Sequence, residues 1–122
     1  MAFAIEEIPD DADLFRRIHR NHINGEGVIS SQAFKQPRLS VNWNKYSDPQ
    51  STAGQNSAAV TALVCGQCRG LGQTVEHTPI QNGEPFGPNQ AHSEICADKS
   101  REIIRQLRDM ARVVWTAPGE NY

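Results

Sequence analysis

The chain has 122 residues, of which 38% are hydrophobic and 21% charged, so it can bury a core without obligatory disulfides or metal and does not have the make-up of a disordered polypeptide. Its formal net charge of −2 counts against a dedicated nucleic-acid-binding domain, a class that is usually strongly basic. Its most apolar run, residues 58–65, is far shorter than the ~20 residues that span a bilayer, which argues against a membrane partner.

In chain order, the start Met1-Ala2-Phe3-Ala4-Ile5-Glu6-Glu7 is acidic and short, unlike a secretory signal. With an odd number of cysteines as well, reduced thiols and a cytoplasmic setting are expected. One domain is expected over 1–122, with 1–9 as an acidic lead-in and 117–122 as a tail. Asp10 or Asp11 can cap a helix whose apolar stripe is Leu14, Phe15 and Ile18, and a strand over 14–18 competes with it. Asn24-Gly25-Glu26-Gly27 is a turn. A short strand is expected at 28–34, and Pro37 ends it. Leu39-Ser40-Val41-Asn42-Trp43 alternates with period two, as a half-buried strand does.

A polar loop follows at 48–56, then a small apolar stretch from Ser57 to Val64. Three glycines lie between Gly66 and Gly72, which favours a strand entering a tight turn over a helix. A helix over 53–69 is the alternative. A second strand is expected at 73–77, with Val75 and His77 on one face. Residues 81–90 carry Asn82-Gly83 and Pro85-Phe86-Gly87-Pro88, a rigid loop of the kind that often carries function. Residues 91–96 can form a last strand. From Ser100 to Trp115 the spacing predicts a capped amphipathic helix, with Ile103, Ile104, Leu107, Ala111 and Val114 on its apolar face. The fold class expected is therefore α+β: a small antiparallel or mixed sheet with a C-terminal amphipathic helix packed on one face.

Candidate chemistry is sparse. Cys65-Gly66-Gln67-Cys68 can grip one metal ion, and His92 and Cys96 could complete a tetrahedral zinc site. The alternative reading makes both cysteines small buried residues beside a glycine turn, with no cofactor. A redox couple lacks the surrounding strand–helix–strand pattern. His19 and His22 could face one way on a helix, but Arg16, Arg17 and Arg20 would repel a cation. Arg101, Arg105, Arg108 and Arg112 draw a guanidinium stripe that could meet nucleic-acid phosphates, or could form a solvated face paired with Glu102 and Asp109. There is no GxGxxG, Walker loop, HExxH or Gly-x-Ser-x-Gly elbow.

Three resemblances add to this. Cys65-Gly66-Gln67-Cys68-Arg69-Gly70-Leu71-Gly72 is similar to the zinc knuckle of J-domain co-chaperones, although that family uses paired copies. The order Arg16 or Arg17, Ser31, Glu94 resembles the arginine-serine-glutamate class of ADP-ribosyltransferases. That likeness implies that the arginine and serine hold the phosphate and ribose of NAD. Its glutamate would activate the acceptor or stabilise an oxocarbenium ion, so the catalytic set it implies is Arg16, Ser31 and Glu94. Finally, Ser30-Ser31-Gln32-Ala33-Phe34 with Leu39-Ser40-Val41, the Arg69 to Val75 segment, and Asn89-x-Ala91-His92 resemble segments of small bacterial proteins with no known activity. This last likeness implies Ser31, Phe34, Arg69 and His92 as binding positions. Without a convincing catalytic set, the function expected is a non-catalytic binding module of a bacterial cytoplasm, taking a protein partner or a small ligand.

Overall fold

The computed structural model describes residues 2–83 and 87–119. It contains a six-stranded sheet in which every pairing is antiparallel. The strands are β1 (Asp13–Ile18), β2 (Arg38–Trp43), β3 (Ala59–Val64), β4 (Thr74–His77), β5 (His92–Cys96) and β6 (Arg112–Thr116). Their order across the sheet is β4-β5-β2-β1-β3-β6. Three helices join them: α1 (Pro49–Ala53), α2 (Cys65–Gly70) and α3 (Arg101–Met110). The α+β class with a helix packed on one sheet face is what the sequence predicts. Among the described residues no helix is long and apolar enough to cross a membrane.

Strand geometry sends successive side chains to opposite faces, so the sheet has two distinct sides. On the first, Leu14, Ile18, Leu39, Val41, Trp43, Leu63, Val75 and Ile95 join Phe34 and Leu107 in one buried cluster. The helix α3 covers this side. Its Ser100 cap accepts a 3.2 Å hydrogen bond from the Ile103 amide, satisfying one of the free donors at its start. Leu107 has no exposed surface, whereas Ile103 and Ile104 are only partly buried. On the second side Phe15, Val60 and Ala62 pack with Ala53 of α1 and with Trp115. The six residues of β3 therefore need apolar or small side chains on both faces, and Ala59-Val60-Thr61-Ala62-Leu63-Val64 supplies them.

The contact between β1 and β2 is short: Leu14 lies opposite Trp43 and Phe15 opposite Asn42. Beyond it Arg16 donates to the Ser40 carbonyl at 3.1 Å and the Ala33 carbonyl at 3.2 Å. The guanidinium thus satisfies the Ser40 oxygen that a longer ladder would have satisfied with an amide, and ties the 3-10 turn to the sheet through Ala33.

Several expected elements differ. Of the two alternatives for residues 14–18 the strand is the one formed, with Leu14 and Ile18 in one core and Phe15 in the other. The strand expected at 28–34 is a 3-10 turn over Ser31–Phe34, begun by the Ser30 hydroxyl accepting from the Gln32 amide, preceded by a single bridge between Ile23 and Ile29. The glycine-rich 66–72 stretch is helical as far as Gly70, since α2 includes both Gly66 and Gly70. Gly66 is there for proximity: a Cβ would lie 3.0–3.1 Å from Asp10, whose carbonyl accepts the Gly66 amide at 2.8 Å. The C-terminal helix stops at Met110, and the β-branched Val113 and Val114 belong to β6. Val114, expected in the core, is 38% exposed. The rigid loop expected over 81–90 falls partly on 84–86 and the tail on 120–122, both outside the described residues, and Ile80 bridges Asn89 across that loop.

Candidate functional site

The alternation of β2 decides which of its side chains meet solvent. Leu39, Val41 and Trp43 enter the first core, so Ser40 and Asn42 turn to the second side. There the register sets Asn42 opposite His92 and Ser40 opposite Glu94. From β1, Phe15 and Arg17 project to the same side. The short helix α1, started by Pro49 and by the Asp48 carboxylate accepting from the Ser51 amide at 2.7 Å, brings Thr52 over the sheet.

These elements enclose a cavity of about 570 Å³, lined by Phe15, Arg17, Ser40, Asn42, Thr52 and His92 together with Ile80 and Asn89 of the loop between β4 and β5. Its polar groups are ordered by one another. The Asn89 side-chain amide donates to Asn42 Oδ1 at 2.9 Å, Asn42 Nδ2 donates to Thr52 Oγ1 at 3.1 Å, and the Ser47 and Thr52 hydroxyls lie 3.1 Å apart. His92 Nδ1 lies 2.9 Å from the Thr78 carbonyl oxygen and 3.0 Å from its hydroxyl. A carbonyl only accepts, so Nδ1 carries the proton and Nε2 presents its lone pair toward Ser40 Oγ, 3.4 Å away. Among the described residues no Asp or Glu lines the cavity.

Glu94 stands beside this wall with its carboxylate turned to Arg38, at 2.8 Å and 3.3 Å. The Arg38 hydrogen bonds hold the carboxyl below its ordinary range, overcoming the opposing effect of burial. Cys96 donates to Glu76 at 3.2 Å. Burial and that hydrogen bond push its thiol up to about 11.

The sequence-derived sets are divided by the sheet. Arg16 bonds backbone carbonyls where β1 and β2 part and borders the cavity, and Glu94 stands beside its wall, but Ser31 sits in the 3-10 turn, so Arg16, Ser31 and Glu94 do not converge. Phe34 is fully buried in the first core, Arg69 pairs with Asp10 at 2.6 Å, and His92 lines the cavity, so Ser31, Phe34, Arg69 and His92 are likewise apart. Cys65 and Cys68 are buried in α2 beneath the first side, while His92 and Cys96 project from β5 on the other. Desolvation pushes the Cys68 thiol up to about 12 and the Cys65 thiol upward. Among the described residues no group of three or more His, Cys, Asp or Glu is placed to hold a metal ion. The arginine stripe is broken. Arg105 pairs with Glu102 at 3.0 Å and Arg108 with Asp109 at 2.9 Å on α3, whereas Arg112 lies on β6 and pairs with Asp13 at 2.9 Å.

Of the cavity's polar residues, the sequence pointed to His92 and, through the ADP-ribosyltransferase resemblance, to Arg16 or Arg17, and not to Ser40, Asn42, Thr52 or Asn89 as site residues. The signal for Ser40 and Asn42 was present, as the polar phase of the clearest period-two segment in the chain. Thr52 and Asn89 lie in loops and a single helical turn, where no periodicity marks an inward residue. Comparison with protein-family models, curated proteins and solved structures gives no match for this chain.

Proposed function

We propose that this chain is a binding module that takes a small polar ligand in the cavity on the second side of its sheet. The observation that carries this reading is the hydrogen-bonded series Asn89–Asn42–Thr52–Ser47 along a cavity of about 570 Å³, a volume within the usual range for small-molecule sites. Amides held in place by one another lose little freedom when a ligand arrives, so each polar contact returns more affinity. Phe15 and Ile80 offer an apolar wall, and Ser40 and His92 a hydroxyl and an imidazole. Backbone amide NMR against a panel of nucleosides, amino acids and sugars tests it. A binder should shift the Ser40, Asn42 and His92 amides, and Asn42→Ala should weaken it by about tenfold, the equivalent of one good hydrogen bond. If no compound moves these amides at millimolar concentration, the reading fails.

A second reading, an ADP-ribosyltransferase-like enzyme that binds NAD, is favoured by one observation. Arg17 and Ser40 line the same cavity and Glu94 lies opposite Ser40, so arginine, serine and glutamate come in chain order from β1, β2 and β5 on one side of the sheet. Arg17 is one of the two arginines that the resemblance allowed, and Ser40 takes the place first expected of Ser31. The resemblance implies that they would hold the phosphate and ribose, with Glu94 meeting the developing oxocarbenium ion as the carboxylate that Arg38 keeps ionised. Calorimetry with NAD and an assay for released nicotinamide test it. Binding with turnover, abolished in Glu94→Gln, is the expected result. No heat at millimolar NAD removes this reading and leaves the first standing.

A further inference from the structure

A second hollow of about 440 Å³ adjoins the first cavity, and Arg17 lines both. Its other walls are His19, just beyond β1, and the turn after α1 from Ala53 to Ser57. The lining is unusual in sign: among the described residues it holds an arginine, a histidine and the amide-bearing Gln55 and Asn56, and no Asp or Glu. The imidazole is already set as a donor. His19 Nδ1 accepts the Asn21 amide at 3.1 Å, so the ring proton of neutral His19 resides on Nε2. The turn is shaped by Gly54 at φ +62, a left-handed conformation that side chains disfavour. Ser57 secures its far end by donating to the Ala53 carbonyl at 2.7 Å.

The surrounding field points the same way. Burial lowers the His22 pKa, and the charges that lower it further are Arg16, His19 and Lys35. Arg16 is lowered by burial and then by Arg17. Among the described residues, the charges that shift these two groups are all cations. Cations gathered in this way repel one another, a cost that an anion from outside would relieve.

We infer that the hollow between Arg17, His19 and the Gln55-Asn56 turn is a binding site for the phosphate group of a small phosphorylated molecule. A phosphate offers three acceptor oxygens and close to two negative charges, which suits a guanidinium fork, an imidazole N–H and two amides better than the two oxygens of a carboxylate do. Because Arg17 also borders the larger cavity, a phosphoester seated here can place its organic part among Ser40, Asn42 and Asn89. The phosphate site stands on its own lining and is independent of whether the larger cavity is used.

The test is an NMR titration of the intact protein with inorganic phosphate and with glycerol 3-phosphate, at constant ionic strength set with chloride. Saturable shifts should concentrate on the His19 imidazole and the amides of residues 54–57. Arg17→Gln should weaken binding about tenfold or more, Arg17→Lys less, and the control Arg105→Gln on α3 not at all. Equal affinity for the two ligands assigns the site to phosphate itself, and tighter binding of the ester assigns it to phosphorylated small molecules. The proposal is overturned if phosphate acts no more strongly than chloride, or if Arg105→Gln weakens it as much as Arg17→Gln. It is equally overturned if a single-stranded oligonucleotide binds these residues while neither small phosphate does at 10 mM.

Discussion

Where β1 and β2 part, Arg16 and Arg17 take opposite roles although they are neighbours in sequence. Arg16 is spent on two backbone carbonyls and borders the larger cavity, while Arg17 borders both cavities of the second side. Their identity as a basic pair is plain in the sequence, but which one turns outward is set by the strand phase, and a helix over the same residues would have mixed them. The cysteines teach a related lesson. The Cys-x-x-Cys spacing promises metal or redox chemistry, yet burial decides the outcome for the thiols. With Cys68 pushed up to about 12 and Cys96 to about 11, neither forms much thiolate near neutrality, and the thiolate is the reactive form. All three cysteines should therefore stay silent toward a disulfide reagent at pH 8 in the native protein and react on unfolding. A native thiol that reacts at the rate of a free cysteine would contradict the structure. The linkage has a definite sign: a thiol pKa raised by folding contributes stability that is complete below the unfolded value of ~8.5. That contribution declines as pH climbs from there towards the folded values, so alkaline pH should destabilise the protein.

Between Met110 and Arg112 the chain changes from helix to strand, and the sequence hides this change. Ile103, Ile104 and Leu107 fit a helical stripe, and Val114 extends it by coincidence of spacing. The stronger local fact is the run Arg112-Val113-Val114-Trp115-Thr116, whose β-branched and aromatic residues suit a pleated edge and pair with β3. The helix and the sheet class were legible because periodicity is a local property. The boundary was not, because the partner that pulls 112–116 into a strand lies some fifty residues earlier. Two substitutions separate the assignments. Leu107→Ala should cost ~2–5 kcal/mol, as for a fully buried aliphatic side chain. Val114→Thr, at an exposed edge position, should stay within ~0.5 kcal/mol. Thermal unfolding of the pair checks this, and a large loss from Val114→Thr would return that residue to the core.

At the scale of the whole molecule, what the sequence withholds is which strands are neighbours. The central strand β1 pairs with β2 and β3, and β4 reaches the sheet only through β5. No composition or spacing encodes that order, and it decides which side chains share the cavity. Cys65 and Cys68 fell on the side opposite His92, whereas Arg17, Ser40 and Asn42, never grouped beforehand, came to share one cavity.

The placement of β6 has one more consequence. The strand it covers, Ala59-Val60-Thr61-Ala62-Leu63-Val64, has no charge, no proline and high β-propensity, the make-up of a segment that self-associates into fibrils. β6 seals that edge and carries Arg112 at its start, and the pairing is interrupted by a bulge between Val60 and Thr61. The last strand of this sheet thus acts as a guard against aggregation, and any event that loosens it exposes the most fibril-prone stretch of the chain.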